Sequence, residues 1–276
     1  MAMRLKDSLS GVLTAEEKLL LVGSYDVVGD IAIILIPETL EAREKLIADA
    51  ILANNQRIKV VAKRAGIYGG EFRTIPLVIL AGENRKDTEV REFGIRLRLN
   101  PESVYFSVRS GNERRRIASQ VSPDESVLVL FSGVAPYPLA ISRFSAARSI
   151  VGIEKNPEAH RYALQNLQLN KKQQNIKLYL GDVATVIPLL TEKFDRIVMP
   201  LPTRAEAFLP DALRVLKSGG YLHFYDLQRP NSFAGSAAKI TTACSAGNRQ
   251  MELFFIIKCG HCGPRTYRIC VDAQIK

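Results

Sequence analysis

A hydrophobic run that ends in a glycine-containing turn is the first feature of the sequence that could do chemistry. Ser126–Leu130 is followed by the segment Phe131–Tyr137 (FSGVAPY), and an amphipathic stretch begins at Leu139. This pattern predicts a strand, a tight turn and a helix. A second apolar run ends at Glu154, about twenty residues after Gly133, where a carboxylate can accept hydrogen bonds from ribose hydroxyls. The spacing predicts a site for a nucleotide-type cofactor.

Two later strand ends carry further candidate groups. Gly181-Asp182-Val183 follows the apolar run 176–180, and Met199-Pro200-Leu201-Pro202 follows the run 195–199. Ligands of parallel α/β sheets bind beyond the carboxyl ends of the strands. We therefore expect Asp182 to accept from an adenine amine and the Pro200 loop to border the substrate. Glu154 and Asp182 each have a simpler interpretation as helix N-caps, because both precede helical segments.

The elements that must position these groups alternate between strand and helix, which predicts a mostly parallel, doubly wound sheet. This α/β domain covers residues 100–276 and follows a smaller α/β domain in residues 1–99. Its helices are predicted at 113–120, 139–144, 158–170, 206–217 and 237–245, and its strands at 103–107, 127–131, 149–153, 176–180, 195–199, 221–225, 251–258 and 266–273.

The smaller domain shows its own periodic segments. Gly29-Asp30 predicts the turn of a hairpin within residues 25–37. The helices are predicted at 15–22 and 38–54, and the remaining strands at 58–63, 72–80 and 92–99.

The charge and composition of the 276 residues restrict the possible partners. The formal net charge is +10 and the hydrophobic content is 47%, which fits a globular protein attracted to polyanions such as nucleic acid. A basic protein without such a partner is the alternative. Arg114, Arg115 and Arg116 form the densest basic cluster and are the candidate nucleic-acid contacts. No membrane span or signal peptide is evident, so we expect a cytoplasmic protein.

Four cysteines lie near the end of the chain, and Cys259-Gly260-His261-Cys262 resembles a redox or zinc motif. A redox motif should open a helix, whereas Gly263-Pro264 follows here. A structural zinc site needs a second ligand pair, and the sequence has no other CxxC. We therefore expect a turn between two closing strands and no metal. The sequence does not determine the oligomeric state, and a monomer is the simplest expectation.

The ordered motifs resemble those of the class I S-adenosylmethionine (SAM)-dependent transferases. They are most similar to the archaeal and eukaryotic tRNA guanine-N1 methyltransferases and to the related wybutosine-synthesis aminocarboxypropyltransferases. The resemblance runs from about Tyr25 to the C-terminus. Besides the cofactor motifs, it rests on the segments Gly29–Ala32, Gly69–Arg73, Val104–Arg109, Glu113-Arg114 and Gly263–Arg265. We see no counterpart of the separate N-terminal domain that some methyltransferases carry.

The resemblance implies a Rossmann-like SAM-dependent methyltransferase domain that modifies a guanosine beside the tRNA anticodon. Methylation at N1 requires removal of a weakly acidic proton, and Glu113 matches the family's general base. Arg73 matches the guanidinium that stabilises charge on the base's carbonyl oxygen. Glu113 could instead form a surface ion pair with Arg114 or Arg116, and Arg73 a domain contact. The predicted SAM-binding residues are Tyr105, Arg109, Phe131, Ser132, Gly133, Ala135, Tyr137, Glu154, Lys155, Asn156, Asp182, Val183 and Pro200.

The sequence also departs from the methyltransferase pattern. Pro200 replaces an asparagine whose amide can hold the target base, and Val129 and Ala135 replace a typical Asp and Gly. Glu154 resembles the aminocarboxypropyl branch, whereas Arg109 resembles the methyltransferase branch. N1 methylation is our main prediction. Aminocarboxypropyl transfer to a tricyclic guanosine derivative, a tRNA-binding homologue with impaired catalysis and a small-molecule methyltransferase remain as alternatives.

Overall fold

The computed structural model describes residues 5–276, which form two compact units. The first unit extends to Val108, and the second runs from Arg109 to Lys276. The sequence places this junction earlier, at residues 99 and 100. In the structure Glu102 accepts hydrogen bonds from the Leu77 amide at 2.9 Å and the Lys86 ammonium at 2.6 Å, which ties the segment after residue 99 to the first unit.

The first unit contains a mixed sheet with helices, followed by a separate hairpin. Its elements are α1 (Leu5–Ser8), α2 (Ala15–Leu20), β1 (Tyr25–Val28), β2 (Ile31–Ile34), α3 (Glu44–Asn54), β3 (Val60–Arg64), β4 (Leu77–Gly82), β5 (Thr88–Glu92) and β6 (Ile95–Leu99).

The sheet of the first unit has the order β1-β2-β3-β4, and β2 and β3 are parallel because α3 crosses between them. Ala32, Ile47 and Val61 are among the fully buried residues that join the sheet to α3. The predicted hairpin at Gly29-Asp30 is confirmed, since β1 and β2 pair antiparallel on either side of it.

The second unit alternates strands and helices as the sequence predicts, and ends in two long antiparallel strands. Its elements are α4 (Gly111–Ser119), β7 (Ser126–Leu130), α5 (Pro136–Phe144), β8 (Ser149–Glu154), α6 (Pro157–Leu169), β9 (Ile176–Leu180), α7 (Val183–Val186), β10 (Phe194–Met199), α8 (Leu209–Val215), β11 (Leu216–Gln228), α9 (Phe233–Ala246), β12 (Met251–Gly263) and β13 (Thr266–Ile275).

The seven strands of the second unit are ordered β12-β13-β11-β10-β7-β8-β9. The five strands from β11 to β9 are parallel, and β13 and β12 add antiparallel pairs at one edge. The chain moves outward from β7 through β8 to β9 and then returns to the other side of β7 with β10. The segment that follows β7 therefore lies at the topological switch point, where ligands of doubly wound sheets bind.

Alternating residues of the sheet supply two separate hydrophobic layers. Leu128 and Leu130 of β7 pack on the side that includes α8 and α9, whereas Val127 and Val129 pack on the side that includes α4 and α5. This two-residue period is the geometry of a strand buried on both faces. The strand cannot slip in register without exchanging both layers, so the turn after Leu130 is held in place.

Three predictions about secondary structure are wrong. Residues 92–99 do not form one strand, because the turn at Phe93 and Gly94 separates β5 from β6. Residues 103–107 form no strand, since the Asn100 carbonyl accepts hydrogen bonds from the Ser103 and Val104 amides and closes a turn. The helix predicted at 206–217 is too long, because α8 ends at Val215 and β11 begins at Leu216 and continues through Gly219 and Gly220. Among residues 5–276, every helix falls short of the length and apolarity that a bilayer crossing requires.

Gly29 provides a direct test of the hairpin in the first unit. It has a φ of +62°, and a Cβ atom there would lie 2.0 Å from Thr88 Oγ1 and 2.7 Å from the Glu89 carbonyl. Thr88 also donates a hydrogen bond to Asp30. We expect Gly29→Ala to lower the free energy of unfolding by about 2–4 kcal/mol, through backbone strain and overpacking.

Urea denaturation followed by circular dichroism measures this loss. Gly235→Ala is the matched control, because Gly235 lies within α9 and a Cβ atom there has no neighbour within 4 Å. The control should gain roughly 0.5–1 kcal/mol, as alanine is the better helix former. Equal unfolding midpoints for the two variants would show that the turn does not need glycine.

Candidate active site

The turn after β7 adopts a backbone conformation that alternates into the left-handed region. Phe131, Gly133 and Ala135 have φ values of +54°, +57° and +67°. The Gly133 amide donates to Glu154 Oε2 at 2.7 Å, and the Ser132 amide donates to the Ile153 carbonyl at 2.9 Å. These two hydrogen bonds hold the turn against the end of β8.

Glu154 supports the turn and is not a helix cap. Its Oε1 accepts from the Asn156 amide at 2.7 Å, and Asn156 itself caps α6 by accepting from the Glu158 amide. Burial raises the pKa of Glu154, although the surrounding amides oppose that shift. A carboxylate offers about four acceptor positions, so Glu154 retains capacity for a hydrogen bond from a ribose hydroxyl.

Asp182 caps a helix, which is the simpler of its two interpretations from the sequence, and it also forms an ion pair. Its Oδ1 caps α7 by accepting from the Ala184 amide at 2.9 Å. Its Oδ2 pairs with Lys155 Nζ at 2.9 Å, and this hydrogen bond from Lys155 lowers the pKa of Asp182. The interaction joins the ends of β8 and β9 and keeps a negative charge beside the turn. Val183, the first residue of α7, is buried.

The edge of the sheet has the space and the donors that a nucleotide-type cofactor needs. A Cβ atom at Gly133 would have no heavy atom within 4 Å, so the backbone of the turn borders open space. The Phe131 ring packs edge-on against Phe208 with a centroid distance of 5.0 Å. At the end of β10, the Leu201 amide donates to the Met199 carbonyl at 2.9 Å, which places Pro200 at the centre of a γ-turn. These residues fit a nucleoside cofactor bound at the switch point.

Glu113 lies in α4 and is buried, with 7% of its surface exposed. Its Oε1 accepts from Arg116 Nη2 and from the Tyr225 hydroxyl, both at 2.6 Å. Its Oε2 accepts from Arg116 Nε at 2.8 Å. The predicted pairing with Arg116 is therefore present, but it is buried and not at the surface. Since Oε2 accepts only one hydrogen bond, it is the oxygen with a lone pair left for a proton.

Two tyrosine hydroxyls connect Glu113 to the cofactor turn. The Tyr137 hydroxyl donates to the Tyr225 hydroxyl at 3.0 Å, and Tyr225 donates to Glu113. Tyr137 is the second residue of α5 and follows the turn directly. Burial raises the pKa of both tyrosines, so both remain protonated as hydrogen-bond donors. Tyr137 therefore belongs to the surroundings of Glu113.

A chain of buried charges extends from Arg116 across the sheet. Arg116 Nη1 donates to Asp272 Oδ2 at 2.5 Å, and His223 Nδ1 lies 2.7 Å from Asp272 Oδ1. Arg196 Nη1 donates to His223 Nε2 at 2.8 Å, and Arg196 pairs with Glu125 at 2.7 Å. Since arginine cannot accept a hydrogen bond, His223 carries its proton on Nδ1.

The pKa values of this chain favour one charge distribution. Burial lowers the pKa of His223, so its imidazole is neutral. Burial alone would raise the pKa of Asp272, but hydrogen bonds from His223 and Arg116 outweigh it and hold that pKa far below the usual range. Asp272 is therefore an anion. Arg116 lies between two carboxylates, and either of them can balance its charge.

Sequence reasoning missed Tyr225 and Asp272, which complete the surroundings of Glu113. Both lie in regular strands more than a hundred residues from Glu113. The position of Tyr225 near the carboxyl end of a predicted strand was the one available signal. Asp272 gave none, because only the antiparallel pairing of β13 with β11 brings it to His223 and Arg116.

The three consecutive arginines have different environments. Arg114 is 3% exposed, and Arg116 is committed to Glu113 and Asp272. Arg115 is exposed and lies over the Phe144 ring at 5.5 Å. Arg115 therefore remains the accessible candidate for a phosphate contact in this cluster. Arg109, at the start of the second unit, is also exposed.

In the first unit the structure brings Arg73 and Tyr105 together. The Arg73 guanidinium lies over the Tyr105 ring at 4.9 Å, and the Tyr68 ring packs edge-on against Tyr105 at 5.8 Å. Arg73 Nη1 is buried and has no hydrogen-bond partner within the described chain. Because an unpaired buried donor is costly, this nitrogen is a candidate for contact with a ligand oxygen.

Two of the departures from the family pattern have a structural context. Val129 is fully buried with Tyr137, Ile141 and Tyr225, where an apolar side chain is easily accommodated. Ala135 occupies a left-handed conformation at the start of α5, which costs a residue with a Cβ about 1–2 kcal/mol relative to glycine. The turn forms with alanine because the buried segments on both sides fix it.

The cysteine motif lies within a strand. Cys259 and Cys262 belong to the last residues of β12, and the turn to β13 is formed by Pro264 and Arg265. The expected turn between the two closing strands is present, but it lies at residues 264–265 and not at the Cys259–Cys262 motif. Cys270 Sγ, His223 and Asp272 place possible ligand atoms within 4.8 Å of one another. Arg116 and Arg196 donate into this group, and their positive charges disfavour a bound cation.

Both units match models of known protein families. Residues 88–252 match the model of the TRM5/TYW2 methyltransferase domain, and residues 5–85 match the TYW2 N-terminal domain. A similar protein is the tRNA (guanine(37)-N(1))-methyltransferase Trm5b of Pyrococcus abyssi, with 33% identity over 91% of this chain and 74% of the relative.

Two further proteins represent the activities and the architecture found among the relatives. The tRNA(Phe) (4-demethylwyosine(37)-C(7)) aminocarboxypropyltransferase of Pyrococcus horikoshii is 29% identical over 81% of this chain and 78% of its own. The solved complex of aTrm5 with tRNALeu superposes with a TM-score of 0.85 and 31% identity, covering all of this chain and 79% of that one. The methyltransferase-domain match spans more than half of the sequence, and the chain belongs to the TRM5/TYW2 methyltransferase family.

Proposed function

We propose that this protein transfers a methyl group from SAM to N1 of guanosine-37, the nucleotide beside the anticodon of tRNA. The observation that carries the proposal is the buried hydrogen-bonded chain from Glu113 through Tyr225 and Tyr137 to the turn after β7. It links a carboxylate suited to proton transfer with the strand edge suited to the cofactor. The sequence similarity to Trm5b supports the choice of substrate and position.

The cofactor site is formed by backbone and side chains at the ends of four parallel strands. When bound, SAM supplies an electrophilic carbon attached to its sulfonium. Glu154 accepts hydrogen bonds from the ribose, and the Asp182 carboxylate lies near the end of the neighbouring strand. The remaining residues proposed for this site are Tyr105, Arg109, Phe131, Ser132, Gly133, Ala135, Lys155, Asn156, Val183 and Pro200, with Tyr137 behind the turn.

Glu113 acts as the general base in this proposal. Oε2 accepts the N1 proton of guanine, because Oε1 is already occupied by Tyr225 and Arg116. Neutralising a buried carboxylate would leave Arg116 without its counter-charge. Asp272 removes this cost, since it also pairs with Arg116. The base can thus take and release a proton without leaving an isolated buried cation.

Arg73 has the complementary role of stabilising the base as it loses the N1 proton. That step moves negative charge to O6 of guanine, which a guanidinium donor stabilises. Within residues 5–276, Arg73 Nη1 is buried and has no hydrogen-bond partner, which supports its assignment as a donor to the substrate. Its position over the Tyr105 ring restrains the guanidinium plane.

Aminocarboxypropyl transfer is the second candidate activity. The observation that favours it is the match of residues 5–85 to the TYW2 N-terminal domain. Pro200 is compatible with it, because no asparagine amide is present to hold a guanine. The two activities break different bonds to the same sulfur, so their by-products differ. Methyl transfer leaves S-adenosylhomocysteine, and aminocarboxypropyl transfer leaves methylthioadenosine.

The by-product and the modified nucleoside together identify the activity. We expect unmodified tRNA transcripts with G37 to yield N1-methylguanosine and S-adenosylhomocysteine when incubated with the protein and SAM. Mass spectrometry of the digested RNA and of the small molecules measures both. Methylthioadenosine, formed only with tRNA that carries the tricyclic precursor, would replace the main proposal with the second candidate. SAM binding without any product on either RNA would indicate impaired catalysis.

Substitution of Glu113 tests the general base. We expect Glu113→Gln to reduce kcat by about 10²–10⁴-fold, because the amide cannot take the N1 proton. The Kd for SAM, measured by calorimetry, should change less than about threefold, because loss of proton transfer raises the energy of the transition state without changing the ground-state binding of SAM.

Glu158→Gln is the matched control for Glu113→Gln. Glu158 also pairs with an arginine three residues later, Arg161, but that pair is exposed on α6. The control should retain full turnover. A rate for Glu113→Gln equal to that of the control would remove Glu113 as the base.

Arg73 is tested by a change that keeps its charge and removes its planar fork. We expect Arg73→Lys to lower kcat by roughly 10–100-fold, with little change in SAM affinity, because a lysine cannot reproduce the directed donor. Arg64→Lys serves as control: Arg64 also lies near a tyrosine ring, that of Tyr68, but is paired with Asp26 at 2.9 Å. If single-turnover rates fall equally in both variants, Arg73 has only a structural role.

A further inference from the structure

Four side chains at the β12–β13 hairpin form a group that the proposed reaction does not use. The His261 ring packs edge-on against Tyr267 with centroids 4.9 Å apart, and Phe233 packs edge-on against Tyr267 at 6.2 Å. Lys258 Nζ lies 5.3 Å from the Tyr267 ring centroid and 5.6 Å from that of Phe233. We call Phe233, Lys258, His261 and Tyr267 the hairpin cluster.

The topology places the hairpin cluster beyond the carboxyl ends of the parallel strands, which is also where the turn after β7 lies. β11 runs parallel to β10 and β7, so its last residue, Gln228, lies on the side of the sheet where the parallel strands have their carboxyl ends. Tyr267 pairs with Gln228, and His261 pairs with Tyr267. The tip of the hairpin therefore extends from the same edge as the turn after Leu130.

The hairpin cluster is accessible and positively charged. Lys258 and His261 are exposed, and Phe233 and Tyr267 are half-buried. Between residues 227 and 271, Glu252 is the only acidic residue, against six arginines and lysines: Arg229, Lys239, Arg249, Lys258, Arg265 and Arg268.

The arginines and lysines of this segment differ in their ion pairs and hydrogen bonds. Lys239 pairs with Asp226, and Arg249 and Arg268 donate to backbone carbonyls. Lys258 and Arg265 are exposed, and within residues 5–276 neither has a carboxylate at ion-pair distance. An exposed ring beside cations without acidic partners is the combination that binds single-stranded nucleic acid.

We propose that the hairpin cluster binds unpaired nucleotides of the RNA substrate next to the nucleotide that is modified. An unpaired base stacks on the exposed His261 ring, which Tyr267 supports edge-on, while Lys258 and Arg265 contact the adjacent phosphates. This inference rests on the proposed function for the choice of RNA as the partner. It does not rest on turnover, because stacking and phosphate contacts act in the ground state.

The stacking surface predicts a preference for unpaired over paired RNA. Bases in a duplex stack on each other and leave no face for a protein ring, whereas loop bases can be splayed out. The loss of His261 and Lys258 should therefore weaken binding to a loop more than binding to a duplex. A purely electrostatic patch would weaken both equally.

The test uses a fluorescein-labelled anticodon stem-loop and an RNA duplex of the same length, measured by fluorescence anisotropy with the full-length protein. For the double variant K258A/H261A we expect the Kd for the stem-loop to rise about tenfold, from the loss of one stacked base and one phosphate contact. The Kd for the duplex should rise less than about threefold, and SAM affinity should stay unchanged.

The double variant F255A/K276A is the matched control. It removes one exposed aromatic ring of β12 and one exposed cation, Lys276, which follows β13 and pairs with Glu252. Both residues lie outside the hairpin cluster, and the control should bind both RNAs as the wild type does. An unchanged Kd for K258A/H261A, an equal loss on the duplex, or an equal loss in the control would overturn the inference. Failure of the proposed reaction would look different, since it removes product formation while stem-loop binding persists.

Discussion

The sharing of one half-buried guanidinium by two carboxylates is the interaction on which the candidate site depends. Arg116 joins Glu113 of its own helix to Asp272 of the last strand. A buried ion pair is costly to break, because it leaves an uncompensated charge away from water. With two anions and one cation, the site tolerates protonation of Glu113. The charge balance around Glu113 of α4 therefore depends on β13.

The order of the strands brings Glu113 and the turn after β7 into one candidate site. β7 lies at the switch point, so the turn at Gly133 opens into the space between diverging crossover connections. β11 places Tyr225 against Glu113, and Tyr137 connects both to the start of α5. Because Tyr137 and Tyr225 belong to the hydrophobic layer that α4 and α5 form on one face of the sheet, the packing of that layer determines the positions of these groups.

The departures from the family pattern become understandable in physical terms. Val129 lies in the apolar layer beside the two buried tyrosines, where its side chain packs against them. Ala135 retains the left-handed turn at some cost in strain. Pro200 closes a γ-turn and offers no amide to a substrate base. The proposed reaction therefore requires other groups to hold the target nucleotide, and contacts of the RNA outside the reacting base gain importance in that proposal.

The sequence by itself determined the α/β class, the alternation of the second unit and the turn at Gly133, because these depend on local patterns of hydrophobic period and glycine position. Glu113 and Arg73 became candidates through the resemblance of their motifs to those of the transferase family. The tertiary structure decided that Arg114 is buried and Arg116 is shared by two carboxylates, that Asn156 and not Glu154 caps α6, and that Tyr225 and Asp272 surround Glu113. The physical reason is that these contacts join residues far apart in the chain, so their energies exist only once the sheet has formed.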